Sequence, residues 1–284
     1  MEIILTLVYA IIIGFYNVFK KISLKKSSDS VILVLFTTVA FLLSLIWIPF
    51  GVSVPINFIP IFALKGFLLS VSWFLILKIL KDADLSATTV TQVISSVVTF
   101  VLGLIIFKEQ TNILQIVGSV IIVVGVALTN LLNKNSKGKL TKTHLILLIC
   151  SALITTSSNL IDKYTTTYLN AQQVQFWFLF FVCMFSWLFF TIECFKNKRF
   201  LIRKQDLKNY WIYLIGLFLF VGDLFLFLAY KVPNSKMITI SILSKFKVVV
   251  TVCAGIFIFK EKNIVKKIIL TLLIVLGTIL ISIA

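Results

Sequence analysis

Charge is scarce in this 284-residue chain, and acidic charge scarcest: 13% of residues are charged, with 10 Asp and Glu against 27 Lys and Arg. A soluble domain carries about 25% charged and roughly 45–50% apolar residues. Here 60% are hydrophobic and the mean hydropathy is +1.10, which excludes an ordinary water-facing surface and leaves a bilayer as the solvent. The single histidine, His144, has no second imidazole with which to hold a metal. The four cysteines (Cys150, Cys183, Cys194, Cys253) lie in or beside apolar stretches without Cys-x-x-Cys spacing, so they read as small core residues. No glycine-rich phosphate loop is present, which speaks against drive by ATP. With one histidine and one carboxylate deep in an apolar stretch, no catalytic set assembles; an enzyme, a metal and a cofactor are all unexpected. The basic excess has no helix of interleaved basic and aromatic residues outside the apolar segments, so nucleic acid is not expected as a partner.

What is present is apolar length. Ten stretches of 18 to 24 residues fall near 2–19, 31–50, 60–80, 86–107, 112–132, 144–161, 172–195, 209–230, 236–259 and 264–283. A spanning helix needs about 20 apolar residues, so each can cross a bilayer. Short charged or turn-forming segments separate them, among them Lys20 to Ser30, Pro55 to Pro60 and Lys196 to Lys208. Glu2 stands where a secretory leader would be basic, so the first stretch reads as a span and not as a cleaved signal. The expectation is an all-α integral membrane protein of ten transmembrane helices in the cell membrane.

The chain repeats itself. A shift of 152 residues lays Val97-Val98-Thr99 on Val249-Val250-Thr251, Gly103 on Gly255, Ile106-Phe107-Lys108-Glu109 on Ile258-Phe259-Lys260-Glu261, and Gly125 on Gly277. A shift of 142 lays Asn17 and Lys21 on Asn159 and Lys163. Gly, Thr, Lys and Glu in register are hard to obtain by chance from apolar composition. Residues 1–133 and 144–284 are therefore expected to be two five-span repeats. Five is odd, so the halves enter the membrane in opposite senses, as inverted repeats.

A span ending in Phe-Lys-Glu, a polar break (Gln110-Thr111-Asn112, then Lys262-Asn263) and a final span with a mid-helix glycine occur twice. This pattern resembles the EamA-type transporters of the drug/metabolite transporter superfamily, over essentially the whole chain. The resemblance implies ten helices, a central cavity and transport of small polar metabolites or drugs. Many relatives carry a proline in the fourth helix of each repeat; Ser96 and Val248 stand near those places, so that source of a helix break is missing.

Polar residues inside spans mark candidate positions. Lys245 and Lys247 sit in the ninth stretch, where each lysine costs about 2.5–3.5 kcal/mol on insertion scales. Two positions apart, they point about 200° from one another. Thr88, Gln92, Ser95 and Thr99 form a polar stripe on helix four, whose equivalents are Ile240, Ser244, Lys247 and Thr251. Lys247 is thus expected to face a cavity, with Ser244, Gln92 and Ser95 along the same path. Lys245 is expected to pair with Asp223 or with a neighbouring helix; Asp223 is the one carboxylate placed deep in a span and, with Lys245, a candidate proton or ion-pair site. Asn17 and Asn159 join the path, with Trp73, Tyr230 and Tyr16 as aromatic lining. Trp47, Trp187 and Trp211 read as interfacial anchors, and Glu109 and Glu261 as helix caps. A mid-membrane cation favours an anionic or zwitterionic small-molecule substrate, carried by a secondary transporter that is proton-coupled or an exchanger. The alternative is a flippase for lipid-linked substrates or a membrane scaffold, which would need a groove open to lipid.

Loops counted alternately place 20 of the 27 basic residues on one side, opposite both termini. The positive-inside rule then puts both termini outside. A C-terminal reporter that is active only in the cytoplasm is expected to stay silent in cells; a bright signal would reverse the orientation.

Overall fold

The computed structural model describes residues 1–85, 88, 105, 112–132, 141–260 and 264–283, and those residues form helices and short connections. In chain order the helices are α1 (Glu2–Ser23), α2 (Asp29–Ser44), α3 (Ile59–Asp82), α4 (Ile113–Leu132) and α5 (Lys142–Tyr168). They continue with α6 (Ala171–Asn197), α7 (Lys204–Leu207), α8 (Tyr210–Lys231), α9 (Met237–Leu243), α10 (Lys247–Phe257) and α11 (Ile264–Ile283). Among the described residues seven segments are long and apolar enough to cross a membrane, counting α2 with the 3-10 turn after it and α9 with α10 as single segments. The helices α4 and α11, 20 residues each, pack on one another. The expected stretch 86–107 lies almost wholly outside the described residues.

Local sequence sets where helices begin. Thr141 opens α5 by accepting a hydrogen bond from the His144 N–H at 3.1 Å, and Asn170 with Gln173 closes a capping box on α6. Pro60 stands in the first turn of α3, where its missing N–H leaves no bond unmade.

Two helices run further than their apolar stretches. The helix α1 continues to Ser23, so Lys20 and Lys21 are helical and not part of a loop. Likewise α5 reaches Tyr168 and carries Asp162 and Lys163 within it. Backbone carbonyls hold the two equivalent lysines. Lys21 Nζ donates to the carbonyls of Leu80 and Ala83 at the end of α3, the latter at 2.8 Å. Lys163 Nζ donates to the Ser235 carbonyl at 2.5 Å and to its hydroxyl at 3.1 Å, just beyond α8. Ala83 and Ser235 are themselves 152 residues apart, so one contact occurs twice in register.

The ninth stretch is interrupted. A 3-10 turn at Ser244–Phe246 separates α9 from α10, with the Ser244 hydroxyl donating to the Ser241 carbonyl at 2.6 Å. A break thus occurs here without proline: the hydroxyl takes a carbonyl inside the helix, and tighter i→i+3 bonding follows.

Helices from opposite ends of the chain are interleaved: α1 packs on α8 and α10, and α3 on α5 and α6. Glycine permits the closest crossings. A Cβ on Gly66 of α3 would lie 2.6 Å from Phe181 Cβ and 2.8 Å from the Phe181 backbone carbon. Small residues let membrane helices approach to van der Waals contact. Where α6 gives way to the basic segment leading to α8, Asp206 is buried and receives the Arg203 backbone N–H at 2.8 Å. Burial opposes its ionisation, but hydrogen bonds from Arg203 and Ser27 outweigh it and hold the carboxyl below the usual carboxylate range. Gly66→Val is expected to destabilise the protein by about 1–3 kcal/mol through overpacking against backbone, read as a lower melting temperature in detergent.

Candidate functional site

A cavity of about 100 Å³ lies inside the bundle, bounded by α1, α3, α5, α6, α8 and α10. The first helix of each expected half supplies matching positions: Tyr16, Asn17 and Lys20 from α1, and Ser158, Asn159 and Asp162 from α5. These two triplets are related by the 142-residue shift. The carbonyl contacts of Lys21 and Lys163, one position further along each helix, hold the ends of the lining segments.

At one end Lys65 of α3 forms an ion pair with Asp162. Its ammonium also lies 3.9 Å from the Phe178 ring centre and 4.9 Å from that of Phe227. Lys65 is 1% exposed and Asp162 4%. Asp223 of α8 lines the same cavity, and its Oδ2 is buried without a hydrogen-bond partner, as is the Tyr16 hydroxyl. Lys247, the first residue of α10, opens into the cavity just after the 3-10 turn. Lys20, 2% exposed, lies over the rings of Tyr16, Phe36 and Trp73. Among the described residues no carboxylate comes within ion-pair distance of Lys20 or Lys247. Among the described residues the cavity therefore contains one closed ion pair, two ammonium groups without a carboxylate, and one carboxylate oxygen without a donor. Such an arrangement can receive a solute carrying both an anionic and a cationic group.

Of the residues expected from the sequence, Lys247, Asp223, Asn17, Asn159 and Trp73 line this cavity, and so does Tyr16. Four calls need correction. Ser244 does not reach the cavity, because its hydroxyl is turned to the Ser241 carbonyl within the helix break. Tyr230 packs with Leu226, Met237 and Ile240 and borders a separate surface pocket with Lys163 and Ser235. Lys245 is buried in the 3-10 turn, off the cavity, and makes no ion pair with Asp223. Asp223 is not the one deep carboxylate, since Asp162 is buried beside it in the same cavity. Gln92 and Ser95 lie outside the described residues. Lys20 and Asp162 fell just outside their apolar stretches and Lys65 lay inside 60–80 without being singled out; all three are cavity residues. Tyr16 and Lys20, four apart on α1, carry a trace of this, since they share one helical face.

A helical bundle with seven described membrane-length segments and a charged cavity at its centre is a multi-pass integral membrane protein. The model of the EamA-like transporter family matches residues 1–131 and again residues 142–283, so the chain belongs to that family, within the drug/metabolite transporter superfamily. A solved crystal structure superposes with a TM-score of 0.68 over 96% of each chain at 14% identity, which shows a shared fold. No curated protein matches the chain.

Removing one partner of a buried ion pair leaves an uncompensated charge, at a cost of about 3–5 kcal/mol. Lys65→Met alone is expected to lower the detergent melting temperature sharply. The double variant Lys65→Met/Asp162→Leu should recover most of the loss; no recovery would mean the pair does more than neutralise itself.

Proposed function

We propose that the protein is a secondary transporter that moves a small polar metabolite across the cell membrane by alternating access. In this reading ten spans form two inverted five-helix repeats, each about half the chain, that rock around the cavity near the midplane. The family match over both halves supports it, as does the lysine-to-carbonyl contact made twice in register. The substrate is anionic or, better, zwitterionic: its anionic group meets Lys247 and its cationic group Asp223. The carrying observation is that these two groups face one small cavity, neither closed by an ion pair of its own among the described residues. At about 100 Å³ the cavity suits a compact metabolite more than a drug-sized molecule. Asp223, a carboxylate inside a span that faces the cavity, is also the candidate carrier of a coupled proton; exchange of one solute for another fits the same geometry. A flippase for a lipid-linked substrate would need its charged path open to the side, and the low exposure of Lys20, Lys65 and Asp162 speaks against that.

Thermal stabilisation of the purified protein against panels of anionic, zwitterionic and cationic metabolites tests the reading. At least one zwitterion or anion is expected to stabilise the parent and to lose its effect in Lys247→Ala. Equal stabilisation of both by cations would make Lys247 structural and the substrate class wrong.

A further inference from the structure

Lys20 is held differently from every other lysine of the cavity. Its Nζ lies 4.0 Å from the ring centre of Tyr16, 5.0 Å from that of Phe36 and 5.2 Å from that of Trp73. The three rings come from α1, α2 and α3 and touch one another: Tyr16 and Phe36 meet edge to face at 5.9 Å, and Phe36 and Trp73 at 5.7 Å. Tyr16 and Trp73 complete the set at 6.5 Å. Lys65 also lies over two rings, but there the rings only supplement Asp162. Around Lys20 no described carboxylate comes within ion-pair distance, so among the described residues the rings are what holds it. The faces of aromatic rings carry negative charge density, and several around one point make a receptor for an organic cation that cannot be hydrated there.

We propose that Tyr16, Phe36 and Trp73 form a cation-binding box that the chain keeps filled with its own Lys20, and that this occupancy bars organic cations from the cavity. The proposal deepens the substrate preference given above and rests on it for its consequence, but the box itself is open to test without transport. Tyr16 is 4% exposed and Phe36 is fully buried, so the box is preformed by packing and does not need a ligand to assemble it. Shortening Lys20 removes both the charge and the methylenes that fill it. Neighbouring Lys21 stays bonded to the end of α3, which keeps α1 in place beside the rings.

The probe is tetramethylammonium chloride, with sodium chloride at equal ionic strength as the control. Parent, Lys20→Ala and Lys20→Met proteins are melted in detergent over a concentration series of each salt. Lys20→Ala is expected to show a saturable rise in melting temperature with tetramethylammonium alone. The parent and Lys20→Met, whose boxes are filled, should respond alike to both salts. A folded Lys20→Ala protein that ignores tetramethylammonium would overturn the proposal, as would a parent that responds as strongly as the variant. Should Lys20→Ala not survive purification, extraction in tetramethylammonium is expected to restore a monodisperse protein where sodium does not; failure of that rescue counts equally against it. The readout is binding, so a failed substrate screen on Lys247 leaves this result standing, and the reverse holds too.

Discussion

Lys65 and Asp162 neutralise one another inside a bundle where neither could remain alone, and the arrangement of the cavity follows from that pair. It joins α3 from the first half of the chain to α5 from the second. With this pair closed, the other charges of the cavity are left facing the space itself. A bilayer interior offers no water to satisfy them, so each needs a substitute. Lys20 has three rings, while Lys247 and Asp223 face the same cavity. A solute with complementary charges would supply what the protein withholds.

The same economy appears in the backbone. Lys21 satisfies carbonyls at the end of α3, where helices leave such groups without partners, and Lys163 satisfies one in the connection just beyond α8. The 3-10 turn before Lys247 is made by a serine hydroxyl and places an ammonium at the start of α10, against the cavity. Close crossings at glycine then bring helices of both halves near enough for side chains from each to share one small volume.

Much of the fold was legible because composition alone requires a bilayer, and the spans follow from apolar length. Seven of the ten expected stretches coincide with described membrane-length segments. Two more, 112–132 and 264–283, coincide with the helices α4 and α11, and 86–107 falls almost wholly outside the described residues. The cavity was half legible. Lys247 emerged from a polar stripe transferred between repeats, yet Ser244 on the same stripe turned away, because its hydroxyl is taken by the Ser241 carbonyl one turn back. Lys20 and Asp162 fell just outside their apolar stretches, and Lys65 near the start of 60–80 was not singled out, because a charge near the end of an apolar run resembles a loop residue. Nothing in the local sequence announces that the helix continues past it. The repeat does lay Lys20 on Asp162, but opposite charges at equivalent positions conceal their equivalence. Of the two partners expected for Lys245, Asp223 is not the one it meets, since Asp223 shares its cavity with the Lys65–Asp162 pair and with Lys247.

The most direct test of the account is transport by reconstituted protein, measured as solute-induced current or uptake in proteoliposomes for the parent, Lys245→Ala and Lys247→Ala. Both lysines belong to the same interrupted span, but only Lys247 faces the cavity. The account predicts that a zwitterionic or anionic solute moves through the parent and through Lys245→Ala, and that Lys247→Ala, though folded, moves none. Transport at the parental rate by Lys247→Ala would contradict it.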